Sequence, residues 1–278
     1  MKSRASLFLT VLLLALSLTA CGSKSDDSAK ADTTDDAQTA QPAEPQETVT
    51  LNVAASPTPH AEILKQCVPI LAEQGIDLQI HEYSDYVVPN TAVEDGDEDA
   101  NYFQHIPYLN SVLKDHAGDK DYDFVSAGAI HIEPIGIYSK KYKSLKDLPE
   151  GGKIIMRDAV SEEGRILSIF EKEGVIKLKP GIDKVTARIS DIVENPKKLK
   201  FRELEAATIP RVLTQVDLAL INTNYALEAK LNPEKDALVI EGADSPYVNI
   251  LVARPNNKDA DAIKKLVGAL HSPEVKQF

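Results

Sequence analysis

"VTLNVAASPTPHAEILKQCVPILAEQGIDLQIHEYSDY", residues 49–86, carries the pattern that decides the fold. Its first eight residues alternate and are rich in β-formers, which predicts a strand. Residues 57–75 then place Ile63, Leu64, Cys67, Ile70 and Leu71 on one face of a helix, with Thr58 expected as its N-cap and Pro59 at the first helical position. "IDLQIHEYSDY", residues 76–86, alternates again and predicts a second strand. Strand, helix and strand at this spacing form a βαβ unit, which implies parallel strands and a right-handed crossover.

The alternation continues downstream. "DANYFQHIPYLNSVLKDHAG" predicts a helix and "DFVSAGAIHIEPIGIYS" a strand region. "KSLKDLP" predicts a turn, "GKIIMRD" a short strand and "EEGRILSIFEKEGVIKL" a helix. "LKFRELE" and "VDLALINT" flank the helix-like "AATIPRVLT", and the strands "DALVIEG" and "SPYVNILVARP" follow. "DADAIKKLVGALHSPEVKQF" closes the chain with Ile263, Leu266, Val267 and Leu270 on one helical face. Alternating elements throughout make the fold class α/β, and no internal repeat is visible.

Upstream, the chain has the marks of export. Lys2 and Arg4 precede an apolar run from Ala5 to Leu18 that is too short to span a bilayer, the layout of a secretory signal covering residues 1–20. Leu18-Thr19-Ala20-Cys21 resembles a bacterial lipobox, which implies cleavage before Cys21 and a lipid on its thiol. Two acyl chains on one residue give stable anchoring at the extracytoplasmic face of the cell membrane. Residues 21–48 place seven acidic side chains against Lys24 and Lys30 without an aromatic, so they are expected to form a disordered tether.

Residues 49–278 are long enough for one large domain or two lobes. The formal net charge of −12, with no basic cluster, argues against a nucleic-acid partner. With Cys21 lipidated, Cys67 is the only other cysteine, so neither an intramolecular disulfide nor a cysteine-built zinc site is expected. Cys67 reads as a small buried hydrophobe. "VEDGDEDANYF" lacks the ligand spacing of a calcium loop and reads as a solvated acidic turn. The six histidines never fall in a close helical pair, although distant ones can converge in space. No nucleophile elbow, phosphate loop, dinucleotide fingerprint or metalloprotease helix is present, so no enzyme, cofactor or metal is expected.

The distinctive chemistry lies in aromatic and amide-rich segments: "EYSDYVVPN", "DANYFQHIPYL", "EEGRIL", "LINTNYA" and "SPYVN". Phe103, His105 and Tyr108 gather at an element boundary marked by Pro107. They suit an apolar, polarisable ligand side chain, a thioether included, and serve equally well as core.

These segments, with "ASPTPHAEIL", "HIEPIGIYSKKYKSLKDLP", "DIVENPKKLKFRELEAATIPR" and "INTNYALEAKLNPEKDAL", resemble the MetQ/NlpA-type methionine-binding lipoproteins of bacterial ABC importers. The resemblance runs in order from about Val49 to the last residue. It implies a two-lobed periplasmic-binding-protein fold, type II-like, with two hinge crossovers near "EPIGIYSKK" and "EGADSPYVN". Lobe one would comprise residues 49–134 plus 245–278, and lobe two residues 135–244.

The resemblance further implies an L-methionine ligand or close analogue, delivery to a permease with its ATPase, and a monomer. Tyr86 corresponds to an aromatic facing the ligand, and Phe103, His105 and Tyr108 to the pocket for its side chain. Arg165 corresponds to the arginine that grips the α-carboxylate, where a planar fork forms two parallel bonds. Asn222 and Asn249 correspond to amides holding the head group. Asn224 and Tyr225 are neighbours without that warrant. Another amino acid or a methionine-containing dipeptide is the alternative ligand, and metal capture through His105 with other histidines a more distant one.

Two departures stand out. "MRDAVSEEGR" puts Arg157, Glu162 and Glu163 where family members carry neutral polar or small residues. Either glutamate is free to pair with Arg165, to favour a ligand with an extra positive charge, or to face solvent. The chain also ends at "SPEVKQF", short of where relatives continue, so a missing terminal segment is expected.

Overall fold

A computed structural model describes residues 48–120 and 122–278. The expected signal segment, the expected lipidation site Cys21 and the expected tether up to residue 47 lie outside the described residues. Among the described residues no helix is long and apolar enough to cross a membrane.

The first half runs β1 (Val49–Ala55), α1 (Glu62–Ala72), β2 (Ile76–Glu82), α2 (Val88–Asp95), β3 (Ala100–His105), α3 (Ile106–Asp115) and β4 (Val125–Ile132). The middle runs β5 (Gly136–Tyr138), β6 (Lys153–Arg157), α4 (Val160–Lys172), β7 (Lys177–Leu178), β8 (Ile192–Glu194), β9 (Lys200–Leu204), α5 (Ile209–Val212), β10 (Leu218–Ile221), α6 (Thr223–Glu228), α7 (Pro233–Asp236) and β11 (Ala237–Ile240). The chain ends with β12 (Val248–Ala253), α8 (Asp261–Leu270) and α9 (Pro273–Gln277).

Two five-stranded sheets result. One has the order β2-β1-β3-β12-β4, the other β11-β5-β10-β6-β9. The expected unit is present: β1 and β2 pair in parallel from Val49 opposite Ile76 to Ala55 opposite Glu82, with α1 packed against them. The chain leaves the first sheet through Glu133–Ile135 and returns to it after β11, so β12 inserts antiparallel between β3 and β4.

Each sheet has its own core. Around the first, Leu64, Cys67 and Leu71 of α1 and Leu266 of α8 are sealed against Val53 and Tyr102. Each leucine so placed contributes about 1.5–3 kcal/mol. Burial pushes the Cys67 thiol up to about 12, so it stays protonated and acts as a hydrophobe. The second core joins Ile154 and Met156 of β6, Leu167 and Phe170 of α4, and Leu220 of β10. Gly164 lets α4 lie against the loop at residues 183–185, because a Cβ there would overlap the backbone carbonyls of Lys184 and Val185.

Four expectations change. The regular part of α1 starts at Glu62, and Thr58 is extended with φ −139° and ψ 140°. No side-chain cap bond is found at the start of that helical stretch.

"DANYFQHIPYL" is not helical throughout: residues 100–105 form the fully buried β3, and helix begins only at Ile106. Placement between β1 and β12 overrides the local pattern. His105 makes the switch, extended at φ −118° and ψ 164°, with its Nδ1 accepting the N–H of Tyr108 and Pro107 in the first turn.

The acidic "VEDGDED" is no simple solvated turn. It closes α2 at a left-handed Gly96, φ 84°, and buries Glu98, whose Oε1 meets His81 Nδ1 at 2.6 Å and accepts from Tyr83 at 3.1 Å. The short hairpin of β7 and β8 had no signal in the pattern.

Candidate functional site

Strand ends build the site. β3 ends at His105, β6 at Arg157, and β10 stops one residue before Asn222, while β12 begins one residue before Asn249. In open α/β sheets ligands bind at the carboxyl ends of strands, beyond the backbone ladder. Sheet register does the rest, setting Asn249 opposite His105 on one side and His131 on the other.

Tyr86, Phe103, His105, Tyr108, Arg165, Asn222 and Asn249 all line one cavity of about 20 Å³. Gln104, Glu133, Arg157, Thr223 and Asn224 complete it. Residues from both sheets thus face one another across a space holding little more than a water molecule.

One end is aromatic. The Tyr86 ring lies 5.7 Å from Phe103, 6.3 Å from Tyr108 and 5.0 Å from Tyr225, centroid to centroid. Tyr86 donates its hydroxyl to Asn224 Oδ1 at 2.6 Å, and Tyr108 donates to the Tyr86 carbonyl at 2.9 Å. The Arg157 guanidinium sits 4.3 Å from the Tyr86 ring and 4.5 Å from the Tyr108 ring. These are cation–π distances.

The other end is ionic. Arg165 donates Nε to both oxygens of Glu241, at 3.1 and 3.0 Å, and Nη2 to Glu241 and to the Glu133 carbonyl. Its Nη1 reaches Glu162 Oε2 at 3.4 Å. Burial disfavours the charged guanidinium, but Glu162 and Glu241 outweigh it and hold the arginine ionised above its usual range.

Glu162 is completely buried. Burial pushes its carboxyl up, but Arg165, His105 and Arg157 overcome that and hold it well below the usual range. Its Oε1 lies 2.6 Å from His105 Nε2, and Asn222 Nδ2 approaches Oε2 at 3.5 Å. Since His105 Nδ1 accepts the Tyr108 N–H, the ring proton sits on Nε2 and points at Glu162. A neutral imidazole satisfies both bonds, in keeping with burial driving its pKa down.

Glu163 turns instead to Arg188 at 3.1 Å and to the Ile189 N–H. Both glutamates flagged in the sequence are therefore buried and partnered, and neither faces solvent.

A third group adjoins the cavity. His60, His131 and Glu133 bring one ligand-type atom each within 4.8 Å of one another, so they are the described residues able to hold a metal. His60 Nε2 is 3.2 Å from Glu133 and 3.3 Å from Asn249, and Tyr102 meets His131 Nδ1 at 2.6 Å. His105 is not part of this group.

Sequence reasoning missed Glu133, Gln104, Thr223 and Asn224 as lining residues. "INTNY" signalled Asn224 and Thr223 by adjacency alone. Glu133 sits in "HIEP", where nothing local marks it as buried.

Known proteins of this shape form a consistent set. The family model described as NlpA lipoprotein matches residues 51–278. The methionine-binding lipoprotein MetQ of Bacillus subtilis is 46% identical over 229 residues, 81% of this chain and 82% of its own. The D-methionine-binding lipoprotein MetQ of Escherichia coli K12 is 45% identical over 203 residues, 72% of this chain and 73% of its own.

Two solved structures superimpose well. A nutrient binding protein from Burkholderia cenocepacia bound to methionine gives a TM-score of 0.77 at 48% identity, over 82% of this chain and 94% of its own. An ABC transporter periplasmic substrate-binding protein from Coxiella burnetii gives 0.76 at 41%, with the same coverage.

Proposed function

The chain belongs to the NlpA lipoprotein family, and from that premise we propose that it is the solute-binding lipoprotein of an ABC importer, capturing an amino acid between its two lobes. L-methionine or a close analogue is the ligand its relatives point to. The observation that carries this reading is the convergence of the Tyr86, Phe103 and Tyr108 rings, the Asn222 and Asn249 amides and the buried Arg165 from both sheets on one cavity.

Lobe one is residues 49–134 plus 245–278 and lobe two residues 135–244. The crossings at Glu133–Ile135 and Glu241–Tyr247 act as the hinge, and opening there admits the ligand. Aromatic faces at Tyr86, Phe103 and Tyr108 pack the ligand side chain, while Asn222, Asn249 and Arg165 hold the head group. The protein performs no bond chemistry. Lipid on Cys21 keeps it at the membrane as a monomer, within reach of permease and ATPase.

The test uses the full chain in detergent, unfolded and refolded to strip bound solute, titrated calorimetrically with L- and D-methionine. Micromolar or tighter binding, about −8 kcal/mol or better, supports the reading. No heat with either, from protein whose circular dichroism shows refolding, overturns it. Metal capture is the second reading, because His60, His131 and Glu133 converge; zinc or manganese in the purified protein by elemental analysis would favour it.

A further inference from the structure

Arg157 is the cavity's one arginine with no carboxylate of the described residues inside ion-pair distance, although Glu162 lies near enough to feel its charge. It is 7% exposed and lines the cavity. The ion pairs that arginines make among the described residues, to 4.0 Å, belong to Arg165, Arg188 and Arg254. The Tyr86 and Tyr108 rings flank the guanidinium, at 4.3 and 4.5 Å. A guanidinium carries five donors in a fork that matches a carboxylate.

Arg165 differs. Glu241, Glu162 and a backbone carbonyl already take most of its donors, leaving one Nη1 hydrogen for the ligand's head group and none for a second carboxylate. A buried cation with no carboxylate in contact is costly, and a ligand that brings one recovers part of that cost on binding.

We propose that Arg157 is a specificity-determining residue that reads a side-chain carboxylate, so that acidic amino acids of glutamate's size are ligands of this pocket. The proposal rests on the amino-acid-binding reading above. Glu133 lines the same cavity, where an α-ammonium group finds negative charge. The aromatic end then receives the carboxylate, with Arg157 confined against two rings that limit the freedom of its fork. Preorganisation of this kind favours the matching ligand by avoiding the entropy of fixing a long side chain.

The experiment is a thermal-unfolding and calorimetric panel on the refolded full chain in detergent. Its ligands are L-glutamate, its uncharged isostere L-glutamine, and L-methionine. Glutamate is expected to bind roughly ten- to a hundred-fold tighter than glutamine, the range of one charge-assisted hydrogen-bond pair.

Arg157→Met, which keeps length and loses charge, is expected to abolish the preference for glutamate over glutamine. Arg157→Lys keeps the charge without the fork and should retain only part of it. Because the wild-type glutamate-to-glutamine ratio decides by itself, the test survives a variant that fails to fold.

Equal binding of glutamate and glutamine, or binding of methionine alone, overturns the role of Arg157 and leaves the amino-acid reading standing. No shift with any of the three overturns both.

Discussion

The two ends of the cavity solve the same electrostatic problem in opposite ways. At the ionic end Glu162, Arg165 and Glu241 are paired with one another inside the protein, with His105 and Asn222 as further partners. At the aromatic end Arg157 rests on two tyrosine faces, and no carboxylate of the described residues comes within ion-pair distance of it. An internally satisfied network rigidifies and holds the lobes' geometry, whereas a charge left open discriminates among ligands. Stability and specificity are therefore expected to separate along the length of one pocket.

That separation can be broken by mutation. The largest effect is expected from Arg165→Ala, which takes the arginine from the buried Glu162 and the half-buried Glu241 and should cost about 3–5 kcal/mol of folding stability in denaturant unfolding. A loss confined to ligand affinity, with stability unchanged, would place Arg165 on the ligand side of the comparison.

Gly164→Ala comes next. Its new methyl meets the Val185 carbonyl oxygen at 2.7 Å, so α4 must shift, at about 1–3 kcal/mol. The shift should also loosen Arg165 one residue on, seen as weaker binding of every ligand alike.

At the aromatic end, Tyr86→Phe removes the 2.6 Å bond to Asn224 and should cost about 1 kcal/mol in the same unfolding assay. Retention of the ring keeps the cation–π contact with Arg157, so ligand ranking should not change.

The gentlest probe is pH. For Glu133 and Glu162, burial opposes ionisation but neighbouring His60 or Arg165 prevails, so both fall below the ordinary 4.5. A carboxyl lower in the folded state stabilises above its unfolded value and loses that contribution as pH falls through the folded one. Burial lowers His60 and His105 beneath the ordinary 6.5. Their contribution is present above 6.5 and declines as pH falls below it. Thermal unfolding should therefore weaken first just below pH 6.5 and again below pH 4.5. A melting temperature flat between pH 7 and 5 would contradict the neutral state assigned to His105.

Local pattern and local chemistry were legible without coordinates. The alternation of residues 49–56 and 76–82, the apolar face of α1 and the closing face of α8 follow from side-chain periodicity, which is an intrinsic property of strand and helix. Phe103, His105 and Tyr108 could be grouped from one short motif, whereas Tyr86, Arg165, Asn222 and Asn249 were named through the resemblance to a known family.

What the sequence could not decide was who partners whom. Arg165 meets Glu241 across 76 residues, Glu162 meets His105 across 57, and His60 meets Asn249 across 189. Those pairings are set by sheet order and by the packing of one lobe on the other, and no local signal encodes either. The same holds for residues 100–105, whose strand state depends on neighbours far along the chain. Periodicity is a property of adjacent residues and so can be read in order. Burial of a charge is a property of the assembled fold, because only the folded neighbours determine what it costs and what offsets it.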